Sequence, residues 1–496
     1  MIRKKNCGIT CILVLYMSII SAHTAAAEQK SLELTVDDCI EKALAFNLNL
    51  KSSRLGMQLN ELSVIQQKSA FDPSFNISVD RGESKSPNYA IYIPVKKIES
   101  KSTELNMSLG QKLSTGANWG TGFYNTLSES NVEAEKNYSS YFGIQFNQPL
   151  LKDFGKKVNR SGIFLAELDG ESTLLNIEGN AIDLLNQVLN TYWGLVYSRE
   201  TLHVFELSHA QADSLLAYNQ KSLELGILTE SDVLQARSAL LAREQDVLDQ
   251  KNTIRETEDS LKKLLNITDD NDWNLNIIPT DFPEIPEVDL TFDKARQEAL
   301  QYRPDYQIKL TSMKQNEIRL GVAKNSTKPD LSFNASYRIN SSGETVNKDL
   351  RDLSDANAYG WNVGLSLNYP IGNRSAKAAL EQRQINMRRA QLELEDLENQ
   401  ILTEIRTSIG KVKVNLEKLN VAEVSVEVNE LKLKMEEERF RNNLSTSYLV
   451  LEYQKDLANA LSLYNKALMD YTLAVLEFKS SKGTLLRDLN VNIVSK

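Results

Sequence analysis

The amino-acid sequence predicts an internally duplicated α+β membrane protein, in which the strands of a membrane β-barrel are combined with a barrel of long α-helices. Three observations predict this class. One order of motifs occurs twice along the 496 residues. Each copy contains strands of about ten residues that alternate between apolar and polar side chains. Each copy also contains a helical stretch of about 70 residues, much longer than the helices of ordinary globular domains.

The first 27 residues have the features of a secretory signal peptide. Three basic residues occupy positions 3–5, an apolar run follows over Ile9–Ile20, and three alanines at 25–27 form a cleavage site. A membrane anchor is the weaker interpretation, because the apolar run is too short to span a bilayer as a helix. We therefore expect an exported protein.

The cysteines predict an exported protein that folds without disulfides. Cleavage after Ala27 would remove Cys7 and Cys11 and leave Cys39 as the only thiol, so no intramolecular disulfide can form. Nothing around the cysteines resembles a lipid-attachment signal, and no lipid anchor is expected.

The two copies match segment by segment. Leu34–Asn47 aligns with Leu290–Arg303 without a gap, and Asp72–Val79 aligns with Pro329–Tyr337. A segment rich in asparagine, aspartate and proline separates the copies and has the composition of a linker. We predict a signal peptide at 1–27, a first repeat at 28–265, a linker at 266–289, a second repeat at 290–487 and a C-terminal tail at 488–496.

The predicted strands place apolar and polar side chains on opposite faces. Apolar residues alternate with small or polar ones, with aromatic residues near the strand ends, as is typical of membrane β-barrels. A soluble sheet packed on helices would show the same alternation, but export and duplication favour the barrel. In the last strand we predict that lipid contacts Trp361, Val363, Leu365 and Leu367, and that the lumen is lined by Asn362, Gly364, Ser366 and Asn368.

The expected number of strands indicates an oligomer. Four membrane strands per chain cannot close a barrel, since about eight are the minimum. Three chains would supply about twelve and would satisfy every backbone edge between subunits. Thr103–Leu127 contains two further alternating segments with no counterpart in the second half. They form either a longer surface loop or an additional strand pair.

The long helical stretches, Gly155–Glu224 and Asn373–Arg439, would each reach roughly 100 Å. Their apolar residues step by three and four, and the valines of segment 412–428 spread beyond one stripe. A helix with two apolar seams packs against neighbours on two sides, as in a ring of helices. A single stripe that faces a globular core is the alternative, but it does not explain helices of this length.

Each long helix is predicted to end in the turn of a helical hairpin. Gly226 can adopt the left-handed conformation that ends a helix, and Thr229 with Asp232 fits a capping box that starts the next one. In the second turn Asn443 takes the place of Gly226. Apolar residues then recur at every seventh position, which predicts coiled-coil packing. These positions are Val233, Leu240, Val247, Ile254 and Leu261 after the first turn and Val450, Leu457, Tyr464, Tyr471 and Phe478 after the second.

Together these features resemble the TolC-like outer-membrane efflux proteins. The resemblance is carried by the turn Leu225–Arg237, its partner Phe440–Gln454, the segment Gln148–Leu151 and the duplication, and it covers nearly all of the mature chain. It implies a homotrimer whose β-barrel lies in outer-membrane lipid and continues as a tube of helices across the periplasm. It also implies two partners: a periplasmic adaptor protein at the tip of the tube and an energised inner-membrane transporter.

The hairpin tips are the first candidate site. They carry apolar residues on exposed turns, where an ordinary turn is polar, and we expect them to contact the helical hairpin of the adaptor. The alternative is that Ile227 and Leu228 only staple the two helices together. The tip residues are Leu225, Gly226, Ile227 and Leu228 in the first hairpin and Asn443, Leu444 and Ser445 in the second.

The second candidate site is a periplasmic gate. In TolC-like channels the last helix carries carboxylates just past the second turn, and the resemblance places one acid at Glu452 and a leucine, Leu449, at the neighbouring position. Residues three apart share a helix face. A trimer would have a ring of carboxylates that attracts cations, beside a ring of leucines that favours closure. Alternatively, Glu452 pairs with Lys455 or Arg441 on the outer surface.

Several function classes are excluded. The net charge of −9 argues against nucleic-acid binding, which needs a basic face. A mean hydropathy of −0.36 excludes a bundle of membrane helices. No phosphate loop or nucleophile motif occurs in a suitable context, and His203 and His209 lie on different helix faces. We expect no catalytic residue, no cofactor and no metal, and therefore no enzyme.

Two functions remain. The first is the exit duct of a tripartite efflux or type I secretion system, located in the outer membrane and extending into the periplasm. The alternative is a periplasmic coiled-coil adaptor or scaffold whose strands form a soluble sheet. The duct accounts better for the strands and the helix lengths. Drugs, metal ions, polysaccharides and polypeptides all leave through such channels, so the sequence predicts no particular cargo.

Overall fold

The computed structural model describes residues 31–89, 95–132, 136–269, 273–283, 285–442 and 444–493. The predicted signal peptide and the tip residue Asn443 lie outside these ranges. The chain forms two compact units. The first contains the N-terminal part up to Ser52, Gly179–Arg303 and Ile401–Lys496, and the second contains Ser53–Glu178 and Pro304–Gln400.

The order of elements is repeated in the two halves. The first half contains β1 (Ser31–Leu34), α1 (Val36–Phe46), α2 (Leu48–Lys68), β2 (Ser74–Pro87), β3 (Lys97–Lys112), β4 (Asn118–Ser130), β5 (Asn137–Pro149), α3 (Lys156–Asn159), α4 (Ser161–Glu224) and α5 (Glu230–Leu265). The second contains β6 (Asn276–Pro279), α6 (Phe292–Tyr302), α7 (Pro304–Ser326), β7 (Asp330–Gly343), α8 (Val346–Ser354), β8 (Ala358–Asn368), α9 (Arg374–Arg441), α10 (Ser447–Ser481) and α11 (Leu485–Asp488).

Corresponding helices of the two halves have nearly equal lengths. The long helices α4 and α9 contain 64 and 68 residues, and the helices that return from the turns, α5 and α10, contain 36 and 35. The predicted duplication and the two long helices are therefore confirmed. None of the helices in the described ranges is both long and apolar enough to span a membrane.

The second unit contains one six-stranded sheet in the order β2-β3-β4-β5-β7-β8, with antiparallel pairing throughout. Strands β3 and β4 include the segment Thr103–Leu127, so this segment is an additional strand pair and not a surface loop. The sheet therefore has six strands, two more than the four expected per chain. Alternation alone did not distinguish a hairpin that joins the sheet from one that forms a loop, because the difference lies in pairing with the neighbouring strands β2 and β5.

The register of the sheet produces one apolar and one polar face. One row that crosses all six strands is apolar: Ile77, Met107, Phe123, Phe142, Ile339 and Tyr359. The row one residue further along β2 lies on the opposite, polar face and contains Ser78, Asn106, Tyr124, Tyr141, Asn340 and Ala358. The predicted alternation is confirmed, and the residues predicted to contact lipid on β8 are exposed on the apolar face.

The turn between β3 and β4 is fixed at the end of the sheet where α4 begins. Gly116 has a φ of +96°, and a side chain there would collide with the carbonyl oxygen of Asp153. The backbone N–H of Gly155 donates to the carbonyl of Thr115 at 2.9 Å. Ala117 is fully buried. The additional strand pair is therefore an integral part of this unit.

The first unit combines a small parallel sheet with helices. Strands β1 and β6 form a two-stranded parallel sheet, so part of the predicted linker 266–289 is ordered. The hydroxyl of Tyr192 lies 3.1 Å from the carbonyl of Leu34 and 3.0 Å from the carboxylate of Asp281, which connects the sheet to α4. Burial raises the pKa of Cys39 to about 12, so this thiol stays protonated and unreactive.

Candidate functional site

The first hairpin tip has the predicted backbone geometry. The N–H of Ile227 donates to the carbonyl of Ser222, and the N–H of Gly226 donates to that of Leu223, both at 2.9 Å. With a φ of +71° at Gly226, these bonds form a Schellman motif, which satisfies the last carbonyls of α4. The left-handed conformation predicted for Gly226 is confirmed.

Helix α5 starts with the predicted capping box. The hydroxyl of Thr229 accepts from the backbone N–H of Asp232, and the carboxylate of Asp232 accepts from the backbone N–H of Thr229 at 2.9 Å. The bonds from Thr229 lower the pKa of the Asp232 carboxyl. The tip is thus a tight turn with its backbone groups satisfied.

The first tip presents apolar side chains to solvent within the chain. Leu225 is 68% exposed and Ile227 is 60% exposed. Leu228 is half-buried. Of the two residues that could instead staple the helices together, Ile227 and Leu228, only Leu228 has the burial that this role requires. Within the described residues, Leu225 and Ile227 are available to a partner.

The second tip contains a backbone hydrogen bond that corresponds to the one between Ile227 and Ser222 in the first. The N–H of Leu444 donates to the carbonyl of Arg439 at 2.8 Å, with the same five-residue spacing as in the first tip. Leu444 is 69% exposed. Ser445 donates its hydroxyl to the carboxylate of Glu436, a buried acid that also lies 3.4 Å from Arg439. The prediction for Asn443 falls outside the described residues.

The two candidate gate residues lie on one face of α10. Leu449 is 36% exposed and Glu452 is half-exposed, whereas the adjacent Val450 is buried. Glu452 forms no ion pair with any described residue, and Arg441 instead lies 3.9 Å from Glu437. The alternative in which Glu452 pairs with Lys455 or Arg441 is therefore not found within the chain.

Behind the tips, an apolar cluster joins the two hairpins. Leu215 of α4 packs with residues of α9 and α10, and the rings of Tyr218 and Phe440 meet edge to face. Beside this cluster lies a cavity of about 490 Å³, lined in part by Tyr218, Phe440 and Gln454. We call this the hairpin cluster: Leu215, Tyr218, Leu433, Phe440, Val450 and Leu457.

Two apolar stripes near the tips are exposed within the chain. On α5 the stripe follows a seven-residue spacing, one position beyond the predicted coiled-coil seam, and contains Leu234, Leu241 and Leu248. On α9 it contains Val421, Val424, Val428, Leu431 and Met435. Each stripe spans about 21 Å of helix. The α9 stripe includes valines of segment 412–428, where a second seam is predicted.

Comparison with known proteins decides the family. A family model described as outer membrane efflux protein matches residues 39–266 and 294–484. The chain belongs to the outer membrane efflux protein family. The predicted family, fold class, export function and outer-membrane location with a periplasmic extension are thereby confirmed. This family consists of channels and not of enzymes. No curated protein matches the sequence significantly.

Solved structures share the fold of this outer membrane efflux protein. The CmeC outer membrane channel of Campylobacter jejuni has a TM-score of 0.67 and 16% identity, over 93% of this chain and 87% of that one. The outer membrane protein VceC of Vibrio cholerae has a TM-score of 0.66 and 15% identity, over 90% and 96%. The MtrE outer membrane channel of Neisseria gonorrhoeae, in its open state, has a TM-score of 0.63 and 13% identity, over 93% and 94%.

Three features of this efflux protein were not predicted from its sequence. The hairpin cluster depends on contacts between α4 and residues more than 200 positions away, which leave no local pattern. The exposed α5 stripe has a seven-residue spacing that could have been found beside the first seam. Helix α8 has only nine residues and lies inside a loop between strands. No group of three or more potential metal ligands occurs among the described residues.

Proposed function

We propose that three copies of this chain form the exit duct of a tripartite efflux or type I secretion system, through which cargo leaves without chemical change. One observation carries the proposal: a six-stranded sheet with an exposed apolar face and two unpaired edges, in a member of the outer membrane efflux protein family.

The sheet edges favour closure between subunits. Strands β2 and β8 are the two edges, and each has one side without a partner strand among the described residues. In a bilayer these backbone groups must be paired, so β2 of one copy would pair with β8 of the next. The pairing would be antiparallel, because adjacent strands alternate in direction through an even number of strands. Three copies then supply eighteen strands.

A barrel of eighteen strands would be wider than the twelve-stranded one expected from the sequence. Barrel diameter grows roughly in proportion to strand number, so the increase is about one and a half times. Two copies would already supply twelve strands, so the choice of three copies comes from the resemblance to TolC-like channels. The additional pair β3 and β4 would enlarge the membrane end of the duct.

The exposed helix stripes support lateral packing of the copies. The α5 and α9 stripes have equal length and start close to their respective tips. Because α5 runs away from its tip and α9 runs towards its own, the two stripes can pack as an antiparallel pair. We propose that the α5 stripe of one copy covers the α9 stripe of the next, which closes a ring of helices.

The tips and the gate complete the assembly. Exposed Leu225, Ile227 and Leu444 would dock on a periplasmic adaptor, which connects the duct to an inner-membrane transporter. Leu449 and Glu452 would face the lumen and form the rings of three leucines and three carboxylates. The leucines would hold the closed mouth together, and the carboxylates would favour cations.

The alternative, a periplasmic scaffold with a soluble sheet, requires a cover for the apolar face of that sheet. Within the chain, large apolar side chains of this face are exposed on β2, β5 and β8, as at Phe75, Ile144 and Leu365. A soluble protein rarely exposes so large an apolar surface.

Cell fractionation tests the two possibilities. The duct predicts that the protein is found in outer membranes, needs detergent for extraction, and migrates on gels as a trimer before boiling and as a monomer after boiling. Recovery in the soluble periplasmic fraction, with migration unaffected by heat, would establish the scaffold instead.

A further inference from the structure

Helix α8 lies against the apolar face of the sheet, at the end of the strands distant from the long helices. The fully buried carboxylate of Asp349 accepts hydrogen bonds from Ser341 at 2.6 Å, from Asn125 at 3.3 Å and from Ser140. These three donors are aligned across β4, β5 and β7. They share a face with Phe123, Phe142 and Ile339, which lie two residues nearer the middle of their strands.

Close contact between α8 and the sheet depends on a glycine. A Cβ at Gly343 would lie 2.8 Å from the backbone nitrogen of Asp349. The N-terminus of α8 is capped by Thr345, whose hydroxyl accepts from the N–H of Lys348 at 3.3 Å. The position of α8 is therefore fixed by the buried carboxylate of Asp349, by the absence of a side chain at Gly343 and by the N-cap Thr345.

The remaining surface of α8 is amphipathic. Val346 and Leu350 are adjacent on the helix surface and are both exposed within the chain. Lys348 and Arg351 are exposed and lie 100° or more around the helix from both of them. An apolar flank beside a charged one is the pattern of a helix that lies in the plane of a membrane interface.

The neighbouring surface indicates what covers this flank. Ile339 and Tyr359 are paired in the outermost complete apolar row of the sheet, and the rings of Tyr337 and Tyr359 stack with centroids 6.2 Å apart. Aromatic residues concentrate at membrane interfaces. The apolar flank of α8 thus continues the surface that the barrel presents to lipid.

We propose that α8 is an interfacial anchor, which inserts Val346 and Leu350 into the outer leaflet beside the barrel and keeps Lys348 and Arg351 in water. This inference rests on the proposed barrel. The apolar flank of α8 would contact outer-leaflet lipid at the boundary between its acyl chains and its headgroups.

Spin labels on single introduced cysteines test the proposal, since Cys39 is buried and unreactive. The variants Val346→Cys, Leu350→Cys and Lys348→Cys are labelled in the assembled protein and reconstituted into vesicles of phosphatidylcholine and lipopolysaccharide. Leu365→Cys, on the lipid face of β8, reports the barrel itself. Collision rates with oxygen, which concentrates in lipid, are compared with those of a water-soluble nickel complex.

Labels at 346 and 350 should collide several-fold more with oxygen, relative to nickel, than the label at 348. The label at 365 should show the highest ratio. Adding Asp349→Ala should release α8 and lower the ratio of oxygen to nickel collisions at position 346, while the ratio at position 365 stays unchanged.

If the labels at positions 346 and 350 give the same ratio as the label at 348 while the label at 365 is exposed to lipid, the anchor is wrong and the barrel stands. Equal low collision with both reagents at 346 would indicate a protein cover, and loss of lipid exposure at 365 would overturn the barrel.

Discussion

The ring of Tyr218 on α4 meets the ring of Phe440 on α9 edge to face, with their centroids 5.4 Å apart. This contact lies within the hairpin cluster, between the first hairpin and the second. If the gate opens by separation of the hairpins, the contact must be lost on opening. We therefore expect this contact to favour the closed state of the gate.

Replacement of Tyr218 with alanine should favour the open state. An aromatic pair contributes about 0.5–1.5 kcal/mol beyond its buried area, which corresponds to a shift of about two- to tenfold per subunit in the opening equilibrium. Single-channel recording in planar bilayers measures the open probability. Tyr448→Ala, at an exposed tyrosine outside the cluster, is the matched control. Equal open probability in the two variants would show that the aromatic pair does not hold the hairpins together.

The gate residues should have separable effects. Leu449→Ser weakens the leucine ring and should raise the open probability, and Glu452→Gln should reduce the preference for cations. Reversal potentials under a salt gradient measure the preference. Glu477 lies on α10 like Glu452, but its carboxylate is 2.7 Å from Lys411 of α9, so Glu477→Gln should leave the cation preference unchanged. If neither gate variant alters conductance or selectivity, this face of α10 does not line the lumen.

The first tip should be needed for export but not for assembly. Ile227→Asp places a charge in the proposed apolar contact, and Gly226→Pro cannot adopt the φ of +71° found there. Both variants should abolish export in cells that contain the native adaptor and transporter, and trimers should still reach the outer membrane. Glu224→Gln, at an exposed residue beside the turn, should export normally. Docking at this tip is refuted if both tip variants export at the normal rate.

The two faces of β8 should differ in their tolerance of charge. An arginine on the lipid face at the membrane midplane costs about 2–4 kcal/mol, whereas lumen positions accept charge. Val363→Arg should therefore reduce the amount of folded protein in the outer membrane much more than Ser366→Arg. Heat-modifiable migration quantifies the folded fraction. Similar losses in both variants would mean that the assignment of the faces is wrong.

Features that depend on local chemistry were predicted from the sequence. The turn at Gly226 and the capping box of Thr229 and Asp232 follow from residue types at fixed spacing. The apolar and polar faces of β7 and β8 follow from alternation within each strand. In each case the information lies within a few consecutive residues.

Features that depend on contacts between separate elements were not predicted. Strand pairing of Thr103–Leu127 requires partners on β2 and β5, and the alternation of these residues is the same in a loop hairpin. Asp349 looks like a surface acid in sequence, but its donor Ser140 lies 209 positions away. The gate requires neighbouring subunits, whose contacts no single chain contains.

Electron cryomicroscopy of the protein extracted from outer membranes and held in lipid nanodiscs tests the central claim most directly. We predict a particle with threefold symmetry and one closed barrel of eighteen strands, in which β2 of each copy pairs with β8 of its neighbour. An open six-stranded sheet packed against soluble partners would contradict the duct. A barrel that leaves β3 and β4 outside its wall would contradict the assembly proposed for it.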